Sequence, residues 1–193
     1  MADLQLVQMS GAPGAGKTTI ARALVRRRRL VALDHDVVKT ALLESGGTFA
    51  STGAASYRVL LALAGDVLDQ GYGVVIDSPC FYDKLVEAGQ RLAAQHRAVY
   101  RYIECVTDDI GVLDERLRSR PRRRSQRPSI DVPPVDLAAG TDRDGMETFR
   151  DGTELFRDWI ASMKRPAAYL RLDTARPVGE CVADALAYLD GPP

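Results

Sequence analysis

Short apolar runs alternate along this chain with stretches whose apolar residues recur every three or four positions. Leu4 to Met9 predicts a buried strand, and Gly11 to Gly16 a glycine-rich turn. Thr18 to Arg29 follows as a helix with Ile20, Ala23 and Leu24 on one face. Leu30 to Leu33 is a second short strand, and Val37 to Leu43 a helix ended by Gly46-Gly47. Ala55 to Asp69 predicts a long helix whose inner face carries Leu60, Leu61, Ala64 and Leu68. Val74 to Ile76 is a buried strand that ends on Asp77, with Tyr82 to Gln95 helical behind it. Ala98 to Val106 is β-like and Ile110 to Arg118 helical. The helical pattern returns after Met146 and runs through Met163. Tyr169 to Leu172 and Val178 to Leu189 close the chain as strand and helix. Strands that are apolar throughout, each followed by a helix, predict a parallel sheet covered on both faces.

One segment breaks the alternation. Residues 119–145 hold Pro121, Pro128, Pro133, Pro134 and Gly140 among many charges. Elements on both sides belong to the same sheet pattern, so this stretch reads as a lid on a single domain spanning 1–193, not as a linker. Its prolines and charges predict little apolar surface with which to dock.

Length and composition narrow the classes. A chain of 193 residues, 46% apolar and 27% charged, suits one ordinary domain with a real core. The formal net charge is zero, which speaks against a dedicated nucleic-acid binder. Cys80, Cys105 and Cys181 are far apart and form no C-x-x-C pair, as expected of free thiols in a reducing cytoplasm. No apolar run approaches the ~18 residues of a membrane span, and no signal peptide is evident.

The chemistry begins at Gly11-Ala12-Pro13-Gly14-Ala15-Gly16-Lys17-Thr18, a full match to G-x-x-x-x-G-K-[ST]. Glycines let the backbone wrap closely around phosphates and aim successive N–H groups at them. The helix that starts here adds its positive dipole end, with Thr19 in its first turn. Lys17 reaches the β- and γ-phosphates, and the Thr18 hydroxyl binds Mg²⁺.

In open α/β sheets the ligand sits beyond the carboxyl ends of the strands. Asp77 and the pair Asp34/Asp36 fall there. Asp77 is the candidate Mg²⁺ carboxylate; a helix cap or turn residue is the alternative. One member of the pair is expected to cap the following helix. The other is expected to orient an acceptor hydroxyl and take its proton. Asp36 is assigned as the base, and Asp34 as a supporting residue or a ligand of Mg²⁺ through water. His35 between them is expected to be a hydrogen-bonding residue.

Arg116, Arg118, Arg120, Arg122, Arg123, Arg124 and Arg127 crowd the start of the lid. Guanidinium groups stabilise charge that develops on a phosphoryl group in transfer. Helical spacing places Arg116 and Arg120 on one face, and these two are expected to act, with Arg124 next; the others read as solvated. Arg26 to Arg29 read as the solvated end of the first helix.

The phosphate loop, Leu33-Asp34-His35-Asp36-Val37-Val38-Lys39, Val74-Val75-Ile76-Asp77 and the arginine-rich segment together resemble the small P-loop kinases. That group includes polynucleotide 5′-kinase, chloramphenicol phosphotransferase, zeta toxins and gluconate kinase, and such chains often carry the label of AAA-type ATP-binding proteins. The ending Tyr169 to Thr174 with Pro177 is similar to the group's last strand and helix, so the resemblance spans nearly the whole chain. It implies a P-loop NTPase three-layer α/β sandwich with a five-stranded parallel sheet in 2-3-1-4-5 order and an arginine-bearing lid. It also implies a carboxylate base at Asp36 and a loop beside the adenine at Thr174 to Pro177. Polynucleotide kinases carry an arginine shortly after the base, where this chain has Lys39.

The expected activity is transfer of the γ-phosphate of ATP, with Mg²⁺, to a hydroxyl of a small molecule such as an antibiotic, a sugar or a nucleoside-like metabolite. A polynucleotide 5′-kinase and a nucleotide-dependent switch are the alternatives. The acceptor is expected between the second-strand end, Ser51 to Arg58, the Asp77–Tyr82 loop and the lid, with Tyr57, Arg58, Phe81 and Tyr82 as candidates.

Overall fold

The computed structural model describes residues 4–138 and 151–192. Five parallel strands, β1 (Gln5–Ser10), β2 (Leu30–Asp34), β3 (Gly73–Asp77), β4 (Val99–Val106) and β5 (Leu170–Asp173), form one sheet in the order β2-β3-β1-β4-β5. Helices α1 (Lys17–Val25), α2 (His35–Glu44), α3 (Phe49–Asp69), α4 (Asp83–Gln95), α5 (Ile110–Ser119), α6 (Val135–Ala138), α7 (Gly152–Ser162) and α8 (Val178–Asp190) connect or follow them.

Strand alternation sorts the core into two layers. Val7 and Met9 of β1 face a cluster with Leu24 of α1, Leu113 and Leu117 of α5, Phe156 of α7 and Val182 and Leu189 of α8. Leu6 of β1, with Val74 and Ile76 of β3, faces Leu60, Ala64 and Leu68 of α3 and Ala93 of α4. Each of these side chains is almost wholly withdrawn from water, which stabilises the sheet by about 1.5–3 kcal/mol per large aliphatic group.

Three helix boundaries differ from the apolar periodicity, each for a local reason. Helix α3 starts at Phe49, before Ala55, because Thr48 and Ser51 form a reciprocal cap. Ser51 N donates to Thr48 Oγ1 at 3.2 Å and Thr48 N donates to Ser51 Oγ at 3.0 Å. Helix α2 starts at His35 because Asp34 Oδ1 accepts from Asp36 N at 2.8 Å. Helix α1 stops at Val25, and the arginines turn the chain into β2: Arg28 pairs with Asp190, and Arg29 lies over the Tyr72 ring. The part of the helix expected to run from after Met146 through Met163 that falls before residue 151, and the part of the lid at 139–145, lie outside the described residues.

The segment after α5 does dock, contrary to its composition. Ser125, Arg127, Ser129 and Ile130 are buried, and Ile130 joins the core cluster. Ile130 N donates to Asp114 Oδ1 at 2.9 Å, and Ser125 N to Thr40 Oγ1 at 3.3 Å. A few hydroxyl and carboxylate anchors hold this strap where few apolar side chains are present to do so.

Candidate active site

The carboxyl ends of β1, β2 and β3 converge on a cleft of about 740 Å³. The phosphate loop forms its floor. Gly11 sits at φ 130°, and a Cβ there would lie 2.2 Å from the Cys105 carbonyl oxygen. No other residue allows the loop to pass so close to β4. Gly16, at φ 84°, caps α1 and leaves its first-turn N–H groups facing the cleft. Thr174 fastens the loop from β5: its Oγ1 donates to Ala15 O at 3.0 Å or Val106 O at 2.9 Å, and its N donates to Val106 O at 2.8 Å.

Lys17 folds back on the loop, its Nζ donating to Gly11 O at 2.8 Å and to Ala12 O at 3.0 Å. Burial pushes its pKa down, with the Asp77 charge opposing that shift. The Thr18 hydroxyl beside Asp77 holds that carboxyl's pKa down. Thr18 and Thr19 both line the cleft.

Parallel register sets Asp34 and Asp77 side by side at the ends of β2 and β3. Asp77 is only 4% exposed. Among the described residues its Oδ2 has no hydrogen-bond partner. Burial raises its pKa to about 6, against the pull of Lys17 and Thr18. A buried carboxylate oxygen without a donor, beside a threonine hydroxyl at the head of a phosphate loop, fits a divalent cation well. Asp34 spends Oδ1 on the helix cap and turns Oδ2 toward Arg123 Nε at 3.9 Å. Burial and the neighbouring Asp36 raise its pKa.

Asp36 is held from the strap. Gln126 Nε2 donates to its Oδ2 at 2.7 Å and Ser125 Oγ to its Oδ1 at 3.2 Å. His35 is buried; its Nε2 lies 2.8 Å from Ser56 Oγ, and its ring stacks on Tyr57 at 4.1 Å. Burial pushes the His35 pKa down to about 4, so the imidazole is neutral and packs as a structural group.

The arginines divide by direction. Arg120 is half-buried, and its pKa is lowered by burial against the opposing charges of Asp36, Asp34 and Asp77. Its Nε has no hydrogen-bond partner among the described residues. Arg116 also lines the cleft, at another wall, where it donates to Thr174 O at 2.8 Å. Helix α5 ends at Ser119 and Arg120 is extended, so the two are not stacked on one helical face as their spacing suggested. Arg122 and Arg123 line the cleft too. Arg124 does not, which corrects its expected place at the nucleotide: it is committed to Asp136 at 2.6 Å and to the Leu43 carbonyl at 3.2 Å. Arg118 is paired with Asp114 at 2.6 Å.

A second cavity of about 170 Å³ lies on the other side of Asp36. Pro13, Asp36, Arg120 and Gln126 border both spaces. Phe81 lines it, but three of the expected acceptor contacts do not. Tyr57 is turned to His35 and donates to Pro79 O at 3.2 Å. Arg58 is exposed on α3, and Tyr82 is 64% exposed at the start of α4. Phe49, Trp159, Ser125 and Gln126 line it instead, and no sequence motif marked them.

The model of one family, described as the AAA domain, matches residues 6–140. The chain belongs to that AAA family. No curated protein matches the sequence. Among solved structures, the fold is shared with the APS kinase of Mycobacterium tuberculosis bound to AMPPNP and APS, at 20% identity and a TM-score of 0.63 over 99% of this chain and 100% of that one. It is shared with a sugar kinase from a Janibacter species, at 16% identity and a TM-score of 0.64 over 97% and 95%. A gluconokinase from Sinorhizobium meliloti aligns at 17% identity and a TM-score of 0.57 over 97% and 92%. The five-stranded order and the phosphate loop of this AAA-family chain are thus those of a small P-loop kinase fold. No helix among the described residues is long and apolar enough to cross a membrane.

Proposed function

We propose that the chain is an ATP- and Mg²⁺-dependent phosphotransferase that moves the γ-phosphate to a hydroxyl of a small molecule in the cytoplasm. The observation that carries this reading is the place of Asp36. Its carboxylate stands in the wall between the phosphate cleft and a separate cavity, held by Gln126 and Ser125. A switch that only hydrolyses its nucleotide has no need of a positioned carboxylate facing a second pocket.

The loop amides and Lys17 hold the β- and γ-phosphates, with Lys17 exchanging its two carbonyl partners for phosphate oxygens. Thr18 and Asp77, with Asp34 behind them, would hold Mg²⁺. When bound, the ion offsets the charge of the β- and γ-oxygens. Thr174, Arg176 and Val178 at the far end of the cleft are the candidates to flank the adenine, with Arg116 bracing Thr174. In the transfer, Asp36 accepts the proton of the acceptor hydroxyl as its oxygen bonds to the γ-phosphorus. The bond from that phosphorus to the β,γ-bridging oxygen breaks, and ADP leaves. Arg120, above the three carboxylates, stabilises charge on the transferring group. The strap carrying Arg120 and Gln126 serves as the lid: opening it frees Asp36, and closing it restores the clamp.

The test is ADP release by the purified chain with Mg²⁺-ATP across hydroxylated acceptors, each with product analysis for the phosphate monoester. Acceptor-dependent ADP release that Asp36→Asn abolishes supports the reading. ADP release that no acceptor stimulates, insensitive to Asp36→Asn, rejects it in favour of a plain ATPase.

A further inference from the structure

The cavity beyond Asp36 has a chemistry of its own. Three aromatic rings line it: Phe49 from the start of α3, Phe81 from the loop after β3, and Trp159 from α7. Phe81 and Trp159 meet at 5.6 Å between centroids, tilted by 49°. Lys39 Nζ sits 3.4 Å from the Phe49 ring centre, and the Arg127 guanidinium 5.2 Å from that of Trp159. These cations lie against the rings, and Arg127 itself borders the cavity. Pro134 and Leu137 complete the apolar lining.

The polar groups at its wall are largely committed to one another. Gln126 gives its Nε2 to Asp36, and its Oε1 accepts from Arg123 N at 3.1 Å. Ser125 bonds to Asp36 and Thr40, and Arg127 donates to Ile130 O at 3.1 Å. Asp36 keeps acceptor capacity, because two carboxylate oxygens offer roughly four lone-pair positions. Asp36, together with Arg120, whose Nε has no hydrogen-bond partner among the described residues, offers one good place for an alcohol, and the rest of the wall offers few for a second hydroxyl. The three ring faces suit a planar apolar ring better than a polyol, whose several hydroxyls would find few partners on them.

Size points the same way. An apolar cavity of roughly 150 Å³ accommodates benzene, and this one is about 170 Å³. That is room for one six-membered ring with a short arm.

From the shared wall at Asp36 and the three-ring lining behind it, we infer that the acceptor is an aryl alcohol: a single planar ring whose short side arm carries the hydroxyl to Asp36. This rests on the phosphotransferase reading and narrows it. The ring would lie against Trp159 and Phe81, and the arm would pass between Asp36 and Pro13 toward the γ-phosphate.

Trp159 is the only tryptophan of the chain, so its fluorescence reports on this cavity independently of turnover. The intact protein with Mg²⁺-AMPPNP is titrated with 2-phenylethanol, gluconate and adenosine in turn. The expected result is saturable change with 2-phenylethanol, at about millimolar affinity for so small a ligand, and none with gluconate. Phe81→Leu and, separately, Phe49→Leu should weaken that response about tenfold or more, while AMPPNP affinity and the melting temperature show whether each variant is intact. With ATP, the same alcohol should give its phosphate ester, with KM raised in both variants more than kcat is lowered. No response to 2-phenylethanol, or a response to gluconate or adenosine in its place, overturns the inference and leaves the kinase reading standing. Saturable binding of 2-phenylethanol without any transfer overturns the assignment of this cavity to the acceptor, while the kinase reading is decided separately by the acceptor screen.

Discussion

Replacing Asp77 by Asn should stabilise the nucleotide-free protein while destroying its use of Mg²⁺. Asp77 is 4% exposed, and one of its oxygens has no donor among the described residues. Burial raises its pKa from 3.8 to about 6, Lys17 and Thr18 notwithstanding. The folded state therefore binds a proton more tightly than the unfolded chain does. Stability is lost as pH climbs through the window from about 4 to 6, because the unfolded chain releases the proton first. Asparagine keeps the shape of the neutral acid and removes that loss. A shift of this size corresponds to about 3 kcal/mol once both states are ionised. In a chain of this length it raises the melting temperature by roughly 6–12 °C. The gain should be small at pH 4, grow to pH 6 and be flat above about pH 7. Melting curves in EDTA at pH 4 and pH 7.5, wild type against Asp77→Asn, measure it directly. The variant should also lose the extra stabilisation that Mg²⁺-AMPPNP gives the wild type. A variant less stable than wild type at pH 7.5, or equally shifted at both pH values, would show that Asp77 is satisfied in the fold and would refute the argument.

Four further outcomes follow from the same geometry. Lys17→Ala should fold but lose about 2–4 kcal/mol of transition-state stabilisation; ATP turnover equal to wild type removes the phosphate-loop assignment. Asp36→Asn should keep nucleotide affinity within a few-fold and lose transfer by about 10²–10⁴, and a larger loss in Asp34→Asn would exchange the roles of the pair. Arg120→Ala should lower kcat by about 10²–10³ with nucleotide affinity little changed, whereas Arg124→Ala should leave kcat near wild type because that side chain is spent on Asp136. Amide exchange across 120–130 should slow further when AMPPNP and acceptor are both bound; equal protection with and without them would make the strap a fixed wall.

The parts of the site that were legible in the sequence are those whose chemistry is local. The phosphate loop needs glycines at close approaches and a lysine at fixed spacing, so Gly11 to Thr18 declared itself. Fully apolar strands point to a parallel sheet, and the acidic residues after them to its carboxyl edge, so Asp34, Asp36 and Asp77 were found. The cap expected of one member of the pair is supplied by Asp34. The strand order came from the likeness to small P-loop kinases, not from the pattern. What could not be read is what depends on distant contacts or on the direction of a single side chain. Gln126 reaches Asp36 across 90 residues with no periodicity to announce it. Arg122, Arg123 and Arg124 are equivalent in composition, yet one turn of the strap sends the last to Asp136. Tyr57 and Arg58 are neighbours on α3 and therefore about 100° apart around its axis; one packs under His35 and the other meets solvent. Phe49 and Trp159 belong to helices far apart in the chain, and only the tertiary fold makes them one wall.

The site separates groups that fix geometry from groups that await a ligand. Thr174, Ser125, Gln126 and Asp34 have hydrogen-bond partners, and each ties a neighbouring element to the cleft. In Lys17, Asp77 and Arg120, as in Asp34, burial disfavours the charged form. Their mutual attraction opposes that penalty without removing it. On the proposed reading, a Mg²⁺-nucleotide would bring the opposite charges in the same arrangement, an anion for Lys17 and Arg120 and a cation for Asp77. Binding energy is then drawn from relief of a penalty already present in the empty protein, and little reorganisation remains for the moment of transfer. A fold can hold such a cluster only if other anchors are sufficient to stabilise it. Here those anchors are the glycine-tight contact of the loop with β4, the Thr174 staple and the seating of Ile130 in the core. Substitutions at these anchors should therefore lower stability and activity together, whereas substitutions at Asp77 should move them in opposite directions.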